Sequence, residues 1–122
     1  MGIGWMDRYE RREEVKDGIE YETLCRQHNQ DDVDELVELI TETLCSTRPT
    51  IRIGGEDIPA EQVKSRFLTL DCEHINYVFE SMARNSTDIR NIRAYLLTAL
   101  YNATITINNH YQAEVRRDWN NC

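Results

Sequence analysis

The sequence predicts a mainly α-helical chain, a compact bundle of five or six helices with one short two-stranded β-hairpin at about residues 50–58. Three observations carry this expectation. Apolar residues recur at three- and four-residue spacing through most of the chain, the rhythm of helices with one buried face. The rhythm is interrupted at Thr50-Ile51-Arg52-Ile53, which alternates as a strand does, and Glu56-Asp57-Ile58 returns after a Gly-Gly pair. The chain has 122 residues, 40% of them hydrophobic and 30% charged. That length and balance suit one soluble domain burying roughly two-thirds of its unfolded surface.

Residues 7–28, DRYERREEVKDGIEYETLCRQH, read as one charged helix or as two with a break at Gly18. Val15, Ile19 and Leu24 give only a thin apolar seam, and the early part is polar nearly all round. Residues 1–19 are therefore expected to be a charged linker or helix, and 20–122 a single helical domain. The cleanest helix is 29–46, with Asn29 or Asp31 able to cap it. Its Val33, Leu36, Val37, Ile40 and Leu44 mark the buried face, and Asp34, Glu35, Glu38 and Glu42 stand on the other side.

Gly54-Gly55 sits where a two-residue primed turn needs positive φ, which glycine adopts without strain. A phosphate loop would need more glycines, a preceding hydrophobic strand and a Lys-Ser/Thr opening the next helix. None is present, and Glu56 and Asp57 would repel a phosphate, so the pair reads as a hairpin turn. Pro59 opens a helix over 60–70 with Val63, Phe67 and Leu68 turned inward. Asp71 caps a helix over 72–85 striped by Ile75, Val78, Phe79 and Met82. Asn91 caps 92–103, the most apolar helix, with Ile92, Leu96, Ala99 and Leu100 on one face. A Thr-rich break is expected to separate it from a last helix over 107–119, where Ile107, Tyr111, Val115 and Trp119 recur every fourth residue.

The formal net charge of −8 is uneven. Residues 1–46 hold 13 acids against 5 bases, whereas 84–122 hold 5 arginines against 3 acids. Overall acidity argues against a broad nucleic-acid footprint, which depends on Lys and Arg releasing counterions. It leaves room for a small basic patch at Arg90, Arg93, Arg116 and Arg117. The longest apolar stretch, residues 94–103, is about half a membrane span, and the start lacks a secretory signal, so a cytoplasmic location without membrane contact is expected. Cys25, Cys45, Cys72 and Cys122 are scattered, with no C-x-x-C pair, and read as reduced thiols acting as small hydrophobes.

Neither a catalytic nor a cofactor site is expected. His28, His74 and His110 are far apart and lack a nucleophile at a recognisable spacing. No His/Cys cluster has zinc spacing, and His74, in the first turn of a helix, has a surface or capping role by default. Tyr95, Tyr101, Tyr111 and Trp119 beside the C-terminal arginines have the composition of a single-strand stacking platform, although at helical spacing aromatics more often pack the core.

Three stretches, IEYETL (19–24), LCSTRPTIRIGGEDIPAEQVKSRFLTLDCEHINYVFESM (44–82) and RNIRAYLLTALYNA (90–103), resemble the C-terminal domain of replication initiator protein A, the RepA-type initiators of Gram-positive plasmids and integrative conjugative elements. The resemblance runs from about Asp7 to Trp119. It implies a helical, DnaD-like module that follows an origin-binding winged-helix domain and contacts other replication proteins and sometimes DNA. DnaD-like domains that touch DNA often carry Tyr-x-x-x-Ile-x-x-x-Trp in a late helix. Here Tyr95 fills the first slot, but Ala99 and Ala103 fill the others, which favours protein recruitment over strand binding. The expected partners are a host primase, helicase or helicase loader. The candidate contact surfaces are the acids Asp34, Glu35, Glu38 and Glu42 and the arginines Arg90, Arg93, Arg116 and Arg117. DNA binding through those arginines is the alternative, and a homo-oligomerisation module is the third reading.

Overall fold

The computed structural model describes residues 5–84 and 91–120, with side chains described for 8–84 and 91–106. The elements run α1 (Trp5–Gly18), α2 (Tyr21–Gln27), α3 (Gln30–Leu44), β1 (Thr50–Ile53), β2 (Glu56–Pro59), α4 (Ala60–Phe67), α5 (Cys72–Arg84) and α6 (Ile92–Asn120). The chain is mainly α with one antiparallel hairpin, as its apolar periodicity dictates.

The α3 helix is the hub and packs on α1, α2, α4 and α6. Val33, Leu36, Val37, Leu39, Ile40 and Leu44 are all buried on it. Each such side chain contributes roughly 1.5–3 kcal/mol by leaving water. Asn29 caps the helix, its side chain accepting from the Asp31 amide at 2.8 Å. Thr41 and Thr43 are buried among the leucines because their hydroxyls donate to the Val37 and Leu39 carbonyls, at 2.7 and 2.9 Å, so no polar atom is stranded.

Of the two sequence readings of residues 7–28, the structure has the broken one. The helix ends at Gly18, yet the left-handed residue that turns the chain is Glu20, at φ 56°. Of the stretch expected as a charged linker or helix, α1 lies against α3, and Val15 and Ile19 join the core.

The hairpin pairs Ile51 with Ile58 and Ile53 with Glu56, leaving a two-residue loop. Gly54 and Gly55 have φ of 59° and 87°, the positive pair that a primed turn requires. Ile53 is buried, and Ile51 and Ile58 pack on the core beside it. The Gly54 amide donates to the Thr98 hydroxyl of α6 at 3.0 Å, which ties the turn to the bundle.

Three points differ from expectation. Ile92, expected on the apolar face of its helix, is exposed at the first position of α6, where the face has not yet reached the core. Leu68 was expected inside the 60–70 helix but is 63% exposed. Leu68 keeps helical dihedrals and donates its amide to the Lys64 carbonyl at 3.0 Å, so helical phase puts it about 140° round the axis from Val63, and Leu70 takes the buried position. The Thr-rich break after Asn102 is absent, and α6 runs unbroken from Ile92 to Asn120. Thr104 is fully buried, its hydroxyl donating back to the Tyr101 carbonyl at 2.7 Å, so the polar group that signals a break is satisfied inside the helix.

Candidate interaction surfaces

On α3 the spacing of Asp34, Glu38 and Glu42 puts one carboxylate per turn along a single stripe, with Glu35 about 100° round the axis. The α1 helix lies along that stripe. Arg8 reaches Glu38 at 3.2 Å and Glu42 at 3.4 Å, and Arg12 reaches Glu38 at 2.8 Å. Arg93, from the start of α6, pairs with Glu42 as well. Asp34 accepts a hydrogen bond from the Tyr21 hydroxyl of α2, and the Lys16 ammonium sits 4.7 Å from the centre of the Tyr21 ring. The candidate acidic surface is thus largely matched by basic and hydroxyl groups of the same chain. Glu35 is exposed and stands apart from these contacts.

The candidate arginines do not share one setting. Arg93 is spent on Glu42, and Arg90 lies outside the described residues, as do the side chains of Arg116 and Arg117 on α6. Sequence reasoning missed the opposite role of Arg8 and Arg12, which serve the acids of α3. Their four-residue spacing was the available signal, since it puts both guanidinium groups on one face of α1.

The histidines hold structure together. His28 Nε2 lies 2.6 Å from Asn76 Oδ1, and its ring packs on Phe79 with centroids 4.3 Å apart. His74 is buried, and its Nδ1 accepts from the Asp71 amide at 3.1 Å. The Asp71 carboxylate in turn accepts from the Glu73 and His74 amides, at 3.0 and 3.2 Å. This is a reciprocal cap of the capping-box kind, with histidine in the place usually held by glutamate. Among the described residues no group of three or more His, Cys, Asp or Glu is placed to hold a metal ion.

Among the described residues, Tyr21 and Cys72 are set to hold their protons more tightly than usual. The hydrogen bond to Asp34, assisted by burial, pushes the Tyr21 phenol up to about 12. A hydrogen bond to Glu20, followed by burial, pushes the Cys72 thiol up to about 11. Both shifts keep the proton on and so remove reactivity.

One concave feature is a cleft of about 150 Å³ between α5 and α6, lined by Tyr77, Ser81, Tyr95, Thr98, Ala99 and Asn102. It presents hydroxyls, an amide and two half-buried rings. Thr98, one of its lining residues, also accepts from the Gly54 amide of the hairpin turn. Such a surface can accept an inserted side chain by stacking and hydrogen bonding. No described helix is long and apolar enough to cross a membrane.

The chain belongs to DUF6017, a family of unknown function, whose model matches residues 1–122. No curated protein and no solved structure matches it.

Proposed function

We propose that this chain is a non-enzymatic interaction module of a plasmid or mobile-element replication initiator, recruiting a host primase, helicase or helicase loader to the origin. The reading rests on the resemblance to the C-terminal domains of RepA-type initiators. The observation that supports it is where the two most specific strings of that resemblance lie. The ribbon TIRIGGEDIP forms the hairpin, and RNIRAYLLTALYN opens into α6. They meet through the Gly54–Thr98 hydrogen bond, and Gln62 of α4 donates to the Tyr101 hydroxyl at 2.6 Å beside them. A chain that presents a partner surface needs such a braced frame, and the α5–α6 cleft opens on it. The use of His28 and His74 as structural contacts is consistent with a role without chemistry.

Recruitment is tested by immobilising the chain and presenting purified primase, helicase and helicase loader from a Gram-positive host. Binding of at least one is expected. Glu35→Lys, which alters the exposed acid without touching the α1 pairs, then reports whether α3 contributes. Double charge reversal at Glu35 and Glu38 would be ambiguous, because Glu38 holds Arg8 and Arg12.

Direct DNA contact is the second reading, favoured by the part-exposed rings of Tyr77 and Tyr95 in the cleft. Phosphate contact would make affinity fall steeply as salt rises. Absence of any shift with single-stranded or duplex DNA at low salt removes it.

A further inference from the structure

We propose that α1 exchanges between two copies of this chain, each α1 docking on the other copy's α3 to give a domain-swapped dimer. Four features of the α1–α2 corner lead there. First, Glu20 holds a left-handed conformation that disfavours any residue with a Cβ, and it is the single non-glycine residue with positive φ among those described. The glycine of the corner, Gly18, sits two positions too early and is spent as the last residue of α1. Second, the connection is only Ile19 and Glu20. Short hinges under strain are the ones that open into exchange.

Third, the docked face is self-contained. The helix touches α3 and α2, with Val15 and Ile19 buried and Arg8 and Arg12 on Glu38 and Glu42. Every one of these contacts can be remade on a second copy, since its α3 carries the same carboxylates and the same apolar wall of Ile40 and Leu44. Charge complementarity therefore selects another copy's α1 as the occupant. Fourth, the opened form has a sequence that suits it. If Glu20 becomes helical, α1 and α2 fuse into one helix from Trp5 to Gln27. Nine residues at about 100° each then place Val15 and Leu24 about 180° apart. Leu24 stays in its own core while Val15 faces outward, toward a second body.

The test uses the full chain. One population carries Arg8→Glu and Arg12→Glu, and the other carries Glu38→Arg. Each alone brings like charges together at the seam. In a swapped heterodimer the contacts to position 38 are opposite in charge in both seams, because the acidic α1 meets the altered α3 and the unaltered α1 meets the unaltered α3. Light scattering on the mixture is expected to show a one-to-one heterodimer that neither population forms with itself. Hinge variants give a second readout on the unmixed chain. Glu20→Gly relieves the strain of the closed form and is expected to weaken wild-type dimerisation by about tenfold. Gly18→Ala with Glu20→Ala favours the fused helix and should strengthen it, and the added Cβ at position 18 meets only ordinary contact, 3.7 Å from the Leu70 carbonyl oxygen. A mixture that yields no heterodimer, or hinge variants that leave the oligomeric state at high protein concentration unchanged, would overturn the proposal.

Discussion

The seam between α1 and α3 and the junction between the hairpin and α6 both join distant parts of the chain, but they are built from different forces. The seam is mostly ionic and lies at the surface, with Arg8 46% and Arg12 38% exposed. Its apolar content is Val15 and Ile19 at one end. The junction rests on buried side chains, Ile53, Leu96, Leu100 and Tyr101, with the Gly54–Thr98 hydrogen bond at its exposed edge and the Gln62–Tyr101 bond part-buried. Exposed ion pairs contribute about 0.2–1 kcal/mol each and weaken in salt, whereas buried aliphatic side chains contribute several times that. The junction is therefore the fixed frame, and the seam is the part that conditions can loosen.

The largest effect is expected in the frame. Leu100 is fully buried where α6 meets the rest of the core, and Leu100→Ala should cost about 2–5 kcal/mol in a urea titration. A loss under about 1 kcal/mol would mean that α6 does not carry the core. Gly54→Ala comes next. A Cβ there meets only the Thr98 methyl at 3.7 Å, so the cost comes from φ 59° and should be about 1–2 kcal/mol. Gly54→Asn should cost less, because asparagine tolerates that conformation.

On the seam side, the raised Tyr21 phenol gives a pH dependence with a definite sign. The folded state favours the protonated form, so its contribution is complete below about pH 10, the ordinary phenol value, and disappears as pH rises through about 12. Chemical denaturation at pH 9 and pH 11.5 should show a larger loss in the wild type than in Tyr21→Phe. An equal loss in both would mean that the Asp34 bond does not stabilise the fold. The smallest effect belongs to Arg12→Ala, about 0.5 kcal/mol at low ionic strength and close to nothing at 1 M salt. A cost that persists in high salt would show that Arg12 acts by packing its stem.

Much of the frame was legible in advance, because it follows from local rules. The α3 periodicity, the Asp71 cap and the alternation around Gly54-Gly55 are each decided within a few residues. What was not legible depends on partners far along the chain. Nothing local shows that Arg8 and Arg12 lie opposite Glu38 and Glu42, so acids that look free in the sequence are neutralised in the fold. Two further misses are local instead. Thr104 is a residue type common in breaks, but its hydroxyl donates to the Tyr101 carbonyl three residues back inside the helix. At Leu68 and Leu70 the phase of α4 puts Leu70, not Leu68, in line with buried Val63 and Phe67. The α5–α6 cleft was half legible. Tyr95 and Asn102 share a face of α6 by their seven-residue spacing, but Tyr77 of α5 comes beside them only through helix packing.

The measurement closest to the proposed recruiting role is calorimetric titration of purified primase, helicase and helicase loader, each in turn, into the wild-type chain and into Asn102→Arg. Asn102 is exposed at the cleft, so the substitution adds bulk and charge without entering the core. Micromolar or tighter binding of one protein, weakened at least tenfold by Asn102→Arg with the unfolding midpoint unchanged, is the predicted result. No heat of binding with any of the three would contradict it.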